Sequence, residues 1–228
     1  AELVDRFRWV VYELANGLDD GASTGRYRHP EYADDLIELL NHLKIEKCHL
    51  FGSSFGSTIT LDALHRYPDR FLKAAVQGGF ARRPLAFGER CLARAGRWMP
   101  GTMKSMPMRE QMLKTTDAPG FVGAPDEVWH WYISNSEVTP NRAIARRALL
   151  LHKLDLRPTL AAIRQPLLMI GGDNDLLVPR RFEEEVLRGV PNARRVEFER
   201  CGHYPPYTQP ERTAREVRDF LNEPGGVA

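Results

Sequence analysis

Ser54 lies in Gly52-Ser53-Ser54-Phe55-Gly56, directly after the apolar run Cys48-His49-Leu50-Phe51 and before a helical pattern from Thr58 to Tyr67. A serine at a sharp turn from strand to helix is raised clear of its surroundings as a nucleophile. Small residues on both sides of it are expected, because the backbone must pass close to its neighbours there. The first amide of the helix, the Phe55 N–H, then points toward the place where an oxyanion would develop. Ser53 and Ser57 are nearby hydroxyls outside the middle position of the motif. A serine hydroxyl needs an adjacent base, and among the seven histidines His203 is the best placed. It sits in Cys201-Gly202-His203-Tyr204-Pro205-Pro206, a Gly/Pro-rich loop between the last strand candidate and the last helix. His49 falls inside a strand, His29, His42 and His65 fall on helix starts or faces, and His130 and His152 fall in a helical stretch. A neutral imidazole needs an acceptor on its other nitrogen, and Gly172-Asp173-Asn174-Asp175-Leu176-Leu177-Val178-Pro179 supplies carboxylates. Asp175, farther out on the turn, is the expected acceptor, with Asp173 left to cap the turn. The chemistry these three types can perform together is acyl transfer to water. The bland alternatives are a Gly/Ser turn, a structural loop histidine and ordinary Asp/Asn turn chemistry.

These residues need a scaffold that brings distant loops together. Short apolar strands alternate with amphipathic helices through the first third, which is the pattern of an α/β fold with a mostly parallel sheet. Phe7 to Tyr12 reads as a strand, and after Pro30 the residues Ala33, Leu36, Ile37, Leu40 and Leu43 recur at helical spacing. Ala74-Ala75-Val76 reads as a strand ending at Gly78-Gly79. From about Phe80 to Leu154 the strand rhythm gives way to helical segments at Leu85 to Met99, Asp126 to Ser134 and Asn141 to Lys153. Strands and helices then resume with Pro166 to Ile170, Arg181 to Arg188, Val196 to Phe198 and Glu211 to Leu221. Residues 1–79 and 155–228 are thus predicted to form one α/β core flanked by helices, with 80–154 as an inserted helical cap. In such a sheet the carboxyl ends of the strands share one edge, where the Ser54, Asp175 and His203 loops can converge.

Composition narrows the function. The chain has 228 residues, 43% hydrophobic and 27% charged, with a formal charge of +2, and no apolar run approaches the roughly 18 residues of a membrane span. Nucleic acid is a poor expectation, since no stripe of Lys and Arg interleaved with aromatics is present. Three widely spaced cysteines, Cys48, Cys91 and Cys201, read as free thiols rather than a zinc site or a disulfide framework. The N-terminus carries charge where a signal peptide would be apolar, so a cytoplasmic location is expected. Neither metal nor organic cofactor is implied, and the sequence is compatible with a homo-oligomer.

Taken together, the three motifs resemble the α/β-hydrolase superfamily, particularly its small-molecule esterases and carbon–carbon bond hydrolases. Gly52 to Gly56 resembles the nucleophile elbow, Gly172 to Pro179 the acid loop, and Gly202-His203-Tyr204-Pro205 the histidine loop. The resemblance runs from Phe7 onward and implies a catalytic set of Ser54, Asp175 and His203, with the Phe55 N–H, Ser53 and Tyr204 bordering the oxyanion and substrate. A serine at the elbow argues against dehalogenase and epoxide hydrolase activities, which use aspartate there. The implied substrate is a small carboxylic ester. Thioesters and carbon–carbon bonds are alternatives, and a non-catalytic binding or scaffold protein is the rival from another class. Two departures stand out. The strands and His-Gly loop that normally precede this region, and supply a second oxyanion donor, have no counterpart after Ala1. Either residues precede Ala1 or the protein is a shortened or inactive relative. Asn16-Gly17-Leu18-Asp19 also stands where such proteins often show Gly-x-Gly-x-Ser. The cap has twelve Lys/Arg against six Asp/Glu, so it could steer an anionic substrate, or it is simply a solvated surface. Trp98, Met99, Met103, Met106, Met108 and Met112 either line an adaptable pocket or fill the cap core.

Overall fold

Four apolar runs become the strands β1 (Cys48–Ser53), β2 (Phe71–Gln77), β3 (Leu167–Gly172) and β4 (Ala193–Phe198). They form one parallel sheet in the spatial order β1-β2-β3-β4, in a computed structural model that describes residues 6–14, 28–106, 108–121 and 124–224. The helices are α1 (His29–His42), α2 (Phe55–Arg66), α3 (Phe87–Gly96), α4 (Arg109–Thr116), α5 (Asp126–Ser136), α6 (Asn141–Lys153), α7 (Arg180–Gly189), α8 (Pro205–Thr208) and α9 (Pro210–Asn222). Helices α3 to α6 all fall between β2 and β3 in the chain. The two strands nevertheless pair directly, from Ala74 opposite Leu167 to Gln77 opposite Ile170. The helical segment therefore leaves the sheet and returns to the adjacent position. No helix among the described residues is long and apolar enough to cross a membrane.

Both faces of the sheet are covered, which is why the central strands read as unbroken apolar runs rather than alternating ones. Alternation reappears in where each side chain goes. Ala74, Val76, Leu167 and Met169 join a large cluster with residues of α1, α2 and α7, including Leu36, Leu61, Leu64 and Val186. Ala75, Leu168 and Ile170 point the other way, into a smaller cluster with Phe198, Val217 and Phe220. Full burial of each Leu, Val or Met contributes about 1.5–3 kcal/mol relative to exposure, so these clusters hold α2 and α9 on opposite faces. Lys73, buried in β2, reinforces the second contact by donating from Nζ to the Phe220, Leu221 and Glu223 carbonyls at the end of α9.

One expected strand is not formed. Residues 6–14 lack strand structure, and Arg8 to Val11 are exposed, although the Phe7 ring meets His49 of β1 edge-on at 6.4 Å. Apolar side chains alone do not make a strand. It needs a backbone partner, and this segment makes no ladder with β1 among the described residues.

Helix α1 meets the start of α2 through His29, whose buried ring donates from Nε2 to Thr58 Oγ1 at 2.9 Å. The Thr58 hydroxyl is itself committed as a donor to Phe55 O at 2.7 Å. Burial, with Arg66 adding to it, holds the His29 imidazole down at about 4, against an ordinary 6.5. A base harder to protonate in the folded chain confers stability that is complete above the unfolded value and lost as pH falls from 6.5 toward 4. His29→Gln keeps a donor but cannot titrate. Its melting temperature is expected to fall less than that of the wild type between pH 7 and pH 4, by an amount equivalent to about 3 kcal/mol. Parallel slopes in calorimetric melts would refute this.

Candidate active site

The register Ser53–Gln77, Gln77–Ile170 and Ile170–Val196 brings the carboxyl ends of all four strands to one edge. Ser54 follows β1 at φ 50° and ψ −110°, a left-handed backbone that a non-glycine residue adopts only at a cost of about 1–3 kcal/mol. Hydrogen bonds hold it on both sides. The Ser54 N–H donates to Gln77 O at 2.9 Å, and the Ser57 N–H donates to Ser54 O at 2.9 Å. Gly52 is required by space, since a Cβ there would lie 2.3 Å from Thr60 Oγ1 and 2.5 Å from Gly56 O. Gly56 is not, because a Cβ there would meet nothing within 4 Å. The expected need for small residues on both sides thus holds on one side only. The Phe55 N–H, as the first amide of α2, has no carbonyl one turn behind it and is left for another acceptor.

The histidine loop leaves β4, two strands beyond β2, and must travel back across the edge. It crosses β3 at Gly172, where a Cβ would lie 2.2 Å from both Cys201 O and Gly202 O. Asp173 fastens the crossing by accepting the Arg200 N–H at 2.9 Å and the Cys201 N–H at 3.0 Å. These backbone donors, Cys201 first, hold its carboxyl below its ordinary value. His203 then lands on Gly78 at the end of β2. There a Cβ would come within 2.5 Å of the ring, and φ is +54°. Since Gln77 is the register partner of Ser53, the imidazole is received at the end of the strand next to the one that carries the elbow.

Asp175 meets this ring from the β3 loop. His203 Nδ1 donates to Asp175 Oδ2 at 2.6 Å, with both side chains almost fully buried. Asp175 Oδ1 accepts the Leu177 N–H at 2.9 Å and the Val178 N–H at 2.8 Å. A carboxylate has only lone pairs to offer, so the proton lies on Nδ1 and leaves Nε2 as the basic nitrogen. Beneath Gly171, Glu183 pairs with Arg195 at 2.7 Å. Burial raises its carboxyl, with Arg195 opposing.

The serine side is tied to the histidine by Gln77, which the sequence reading passed over. Ser53 Oγ donates to Gln77 Oε1 at 2.5 Å, the Gln77 carbonyl holds the Ser54 N–H, and Gln77 Nε2 donates to the His203 carbonyl. Asp175 and His203 are therefore joined directly, and Ser54 is joined to His203 through Gln77, without a direct Ser54–His203 hydrogen bond. The Ser53 hydroxyl is engaged by Gln77 rather than left facing a substrate. The Tyr204 hydroxyl donates to Asp117 Oδ1 at 2.8 Å, and Tyr132 of α5 donates to the same oxygen at 2.7 Å. Burial first, then Asp117, pushes both phenols above their ordinary value, so they remain donors. The helical segment also packs Gly120 against Tyr204 and Gly202 and sets the Arg147 guanidinium over the Phe55 ring at 5.7 Å. It thus touches both the histidine loop and the elbow. Gln77 did carry a signal in the sequence, a polar residue closing an apolar strand; Asp117 and Tyr132 carried none. Asn16 to Asp19 lie outside the described residues.

The family model for α/β hydrolases matches residues 1–216. The chain belongs to the alpha/beta hydrolase family. Among hydrolases of known sequence, RutD of Pseudomonas savastanoi pv. phaseolicola, provisionally named a carbamate hydrolase, is 28% identical over 216 residues, covering 89% of this chain and 82% of that protein. The 2-hydroxymuconate semialdehyde hydrolase of Pseudomonas putida is 24% identical, covering 92% of this chain and 75% of that protein. Among solved structures, a thermophilic esterase from Thermogutta terrifontis superposes with a TM-score of 0.77 at 26% identity, over 97% of this chain and 82% of that one.

As a positioning residue of this hydrolase, Gln77 makes a separable prediction. Gln77→Leu removes the amide link without changing the groups that react. It is expected to lower kcat for a nitrophenyl ester by about 10- to 100-fold with KM nearly unchanged, and Gln77→Glu, which restores only the Ser53 contact, should not recover it. Steady-state kinetics giving wild-type kcat in Gln77→Leu would remove Gln77 from this role.

Proposed function

We propose that the protein is a serine hydrolase that cleaves small carboxylic esters through Ser54, His203 and Asp175. The observation that carries this reading is the buried Nδ1–Oδ2 bond of 2.6 Å between His203 and Asp175, formed by a ring that rests on Gly78 beside the elbow. His203 Nε2 takes the Ser54 proton as Oγ bonds to the ester carbonyl carbon. The Phe55 N–H holds the oxyanion, and the imidazolium returns the proton to the departing alkoxide, leaving an acyl-enzyme. Water, deprotonated by the same nitrogen, then adds to the acyl carbon. Ser54 Oγ leaves with the proton and the carboxylic acid is released. Asp175 keeps its charge throughout and stabilises the imidazolium.

Carbon–carbon bond hydrolysis is the second reading, favoured by the kinship with the 2-hydroxymuconate semialdehyde hydrolase. The same hydroxyl and imidazole would serve it, so substrate panels decide between the two.

A fluorophosphonate probe is expected to label the wild type and not Ser54→Ala. Hydrolysis of nitrophenyl esters should favour short acyl chains and fall by a factor of roughly a thousand or more in His203→Ala, because members of such a set act as a unit. An unlabelled but folded wild type, or a His203→Ala variant at the wild-type rate, would sink the proposal.

A further inference from the structure

An open cleft of about 690 Å³ lies between α3 and α6, and its walls carry Arg90, Arg94, Arg97, Arg146 and Lys153 with no carboxylate among the described lining residues. Three arginines elsewhere on the helical segment are ion-paired. Arg82 meets Glu185 at 2.7 Å, Arg83 meets Glu89 at 3.0 Å and Arg109 meets Glu137 at 3.4 Å. In the cleft, Arg90, Arg94, Arg97 and Lys153 enter no ion pair among the described residues. Arg90 and Arg97 instead lie over the Phe87 and Trp98 rings. Arg90 and Arg94 are four residues apart on one helix, a spacing at which like charges repel. The buried Arg90 Nε has no hydrogen-bond partner among the described residues, as is also so for Arg142 Nε and Arg147 Nε on α6. A concave surface that carries Arg90, Arg94, Arg97 and Lys153, with no carboxylate among its described lining residues, has the chemistry of an anion site.

One wall of the cleft adjoins α2, the helix that follows Ser54. His29 forms part of its wall and binds Thr58 in the first turn after Ser54. The His29 ring meets Phe55 edge-on at 6.3 Å. On α6 the neighbour of Arg146 is Arg147, which covers the same Phe55 ring. His152, also on the wall, accepts the Leu85 N–H at Nδ1, so its Nε2–H adds a neutral donor.

We propose that this cleft holds the anionic end of the substrate. The ester carries a carboxylate or phosphate on the part remote from its reacting carbonyl, and Arg90 and Arg94 of α3, with Arg97 just beyond its end, receive it. This rests on the serine-hydrolase reading given above, and the two can be tested apart. Nitrophenyl hemiesters of glutaric, adipic and suberic acid are compared with neutral nitrophenyl esters of the same chain length, in the wild type and in the charge-reversed Arg94→Glu/Arg97→Glu variant. Circular dichroism melts establish that the variant is folded, and Arg94→Gln/Arg97→Gln serves if it is not. The expected result is that the ratio of kcat/KM for the hemiester over the neutral ester falls by about tenfold or more for at least one chain length, because charge-assisted hydrogen bonds are lost. The wild-type ratio should also drop as salt is added. A ratio that stays within about twofold at every length and salt concentration overturns the cleft proposal and leaves the serine mechanism standing. Calorimetric titration with the glutarate, adipate and suberate dianions, and separately with inorganic phosphate, decides the cleft even if no ester is cleaved. Binding that weakens about tenfold in the variant supports it. Absence of binding, equal binding in both proteins, or binding that does not compete with ester hydrolysis overturns it.

Discussion

Asp175 and His203 meet out of reach of water, and each would be costly to bury alone. A carboxylate removed from solvent loses several kcal/mol of hydration unless other donors replace it. Here the Leu177 and Val178 amides and the imidazole N–H do so. Both partners must therefore arrive with the right backbone beneath them. That condition explains why the histidine loop is drawn across β3 at a residue without a side chain, why Asp173 grips its backbone, and why the ring is received by another glycine at the end of β2. The parallel sheet is what allows three loops to share one edge, and the packing of α2 and α9 on its two faces keeps that edge in register.

The helical segment is integrated with this edge rather than merely laid over it. One carboxylate oxygen of Asp117 accepts hydroxyls from Tyr132 on α5 and from Tyr204, the residue after His203. The surrounding rings, with Phe121 at 4.7 Å from both tyrosines, make the junction an aromatic cluster whose polar groups are satisfied. Any displacement of the segment is thus felt one peptide away from the imidazole. On its other side the segment concentrates positive charge against the elbow helix. The segment thus meets the sheet edge at two places, through the hydroxyl junction at Tyr204 and through Arg147 at the Phe55 ring.

Much of this was legible in the residues because local rules and global fold agree. Leu167 to Ile170 had to be a buried strand, since both faces are covered. Ser54, Asp175 and His203 stood out because the loops that carry them need the glycines and prolines that flank them. Phe7 to Tyr12 misled because strand formation depends on a partner that its own side chains do not reveal. Gln77 was missed for a similar reason, as the groups it binds lie 24 and 126 residues away. Asp117 and Tyr204 are separated by 87 residues, and no pattern in either neighbourhood announces the other. Gly56 shows the opposite error, a motif position that invites a steric explanation the coordinates do not require.

The backbone at Ser54, with φ at 50°, sets conformational ease against the presence of a hydroxyl within one residue. An L side chain is disfavoured in that conformation, whereas glycine adopts it freely. Ser54→Gly is therefore expected to relieve backbone strain in the folded chain while it removes the hydroxyl. A hydroxyl at this point of the chain thus carries a conformational cost that a glycine would not.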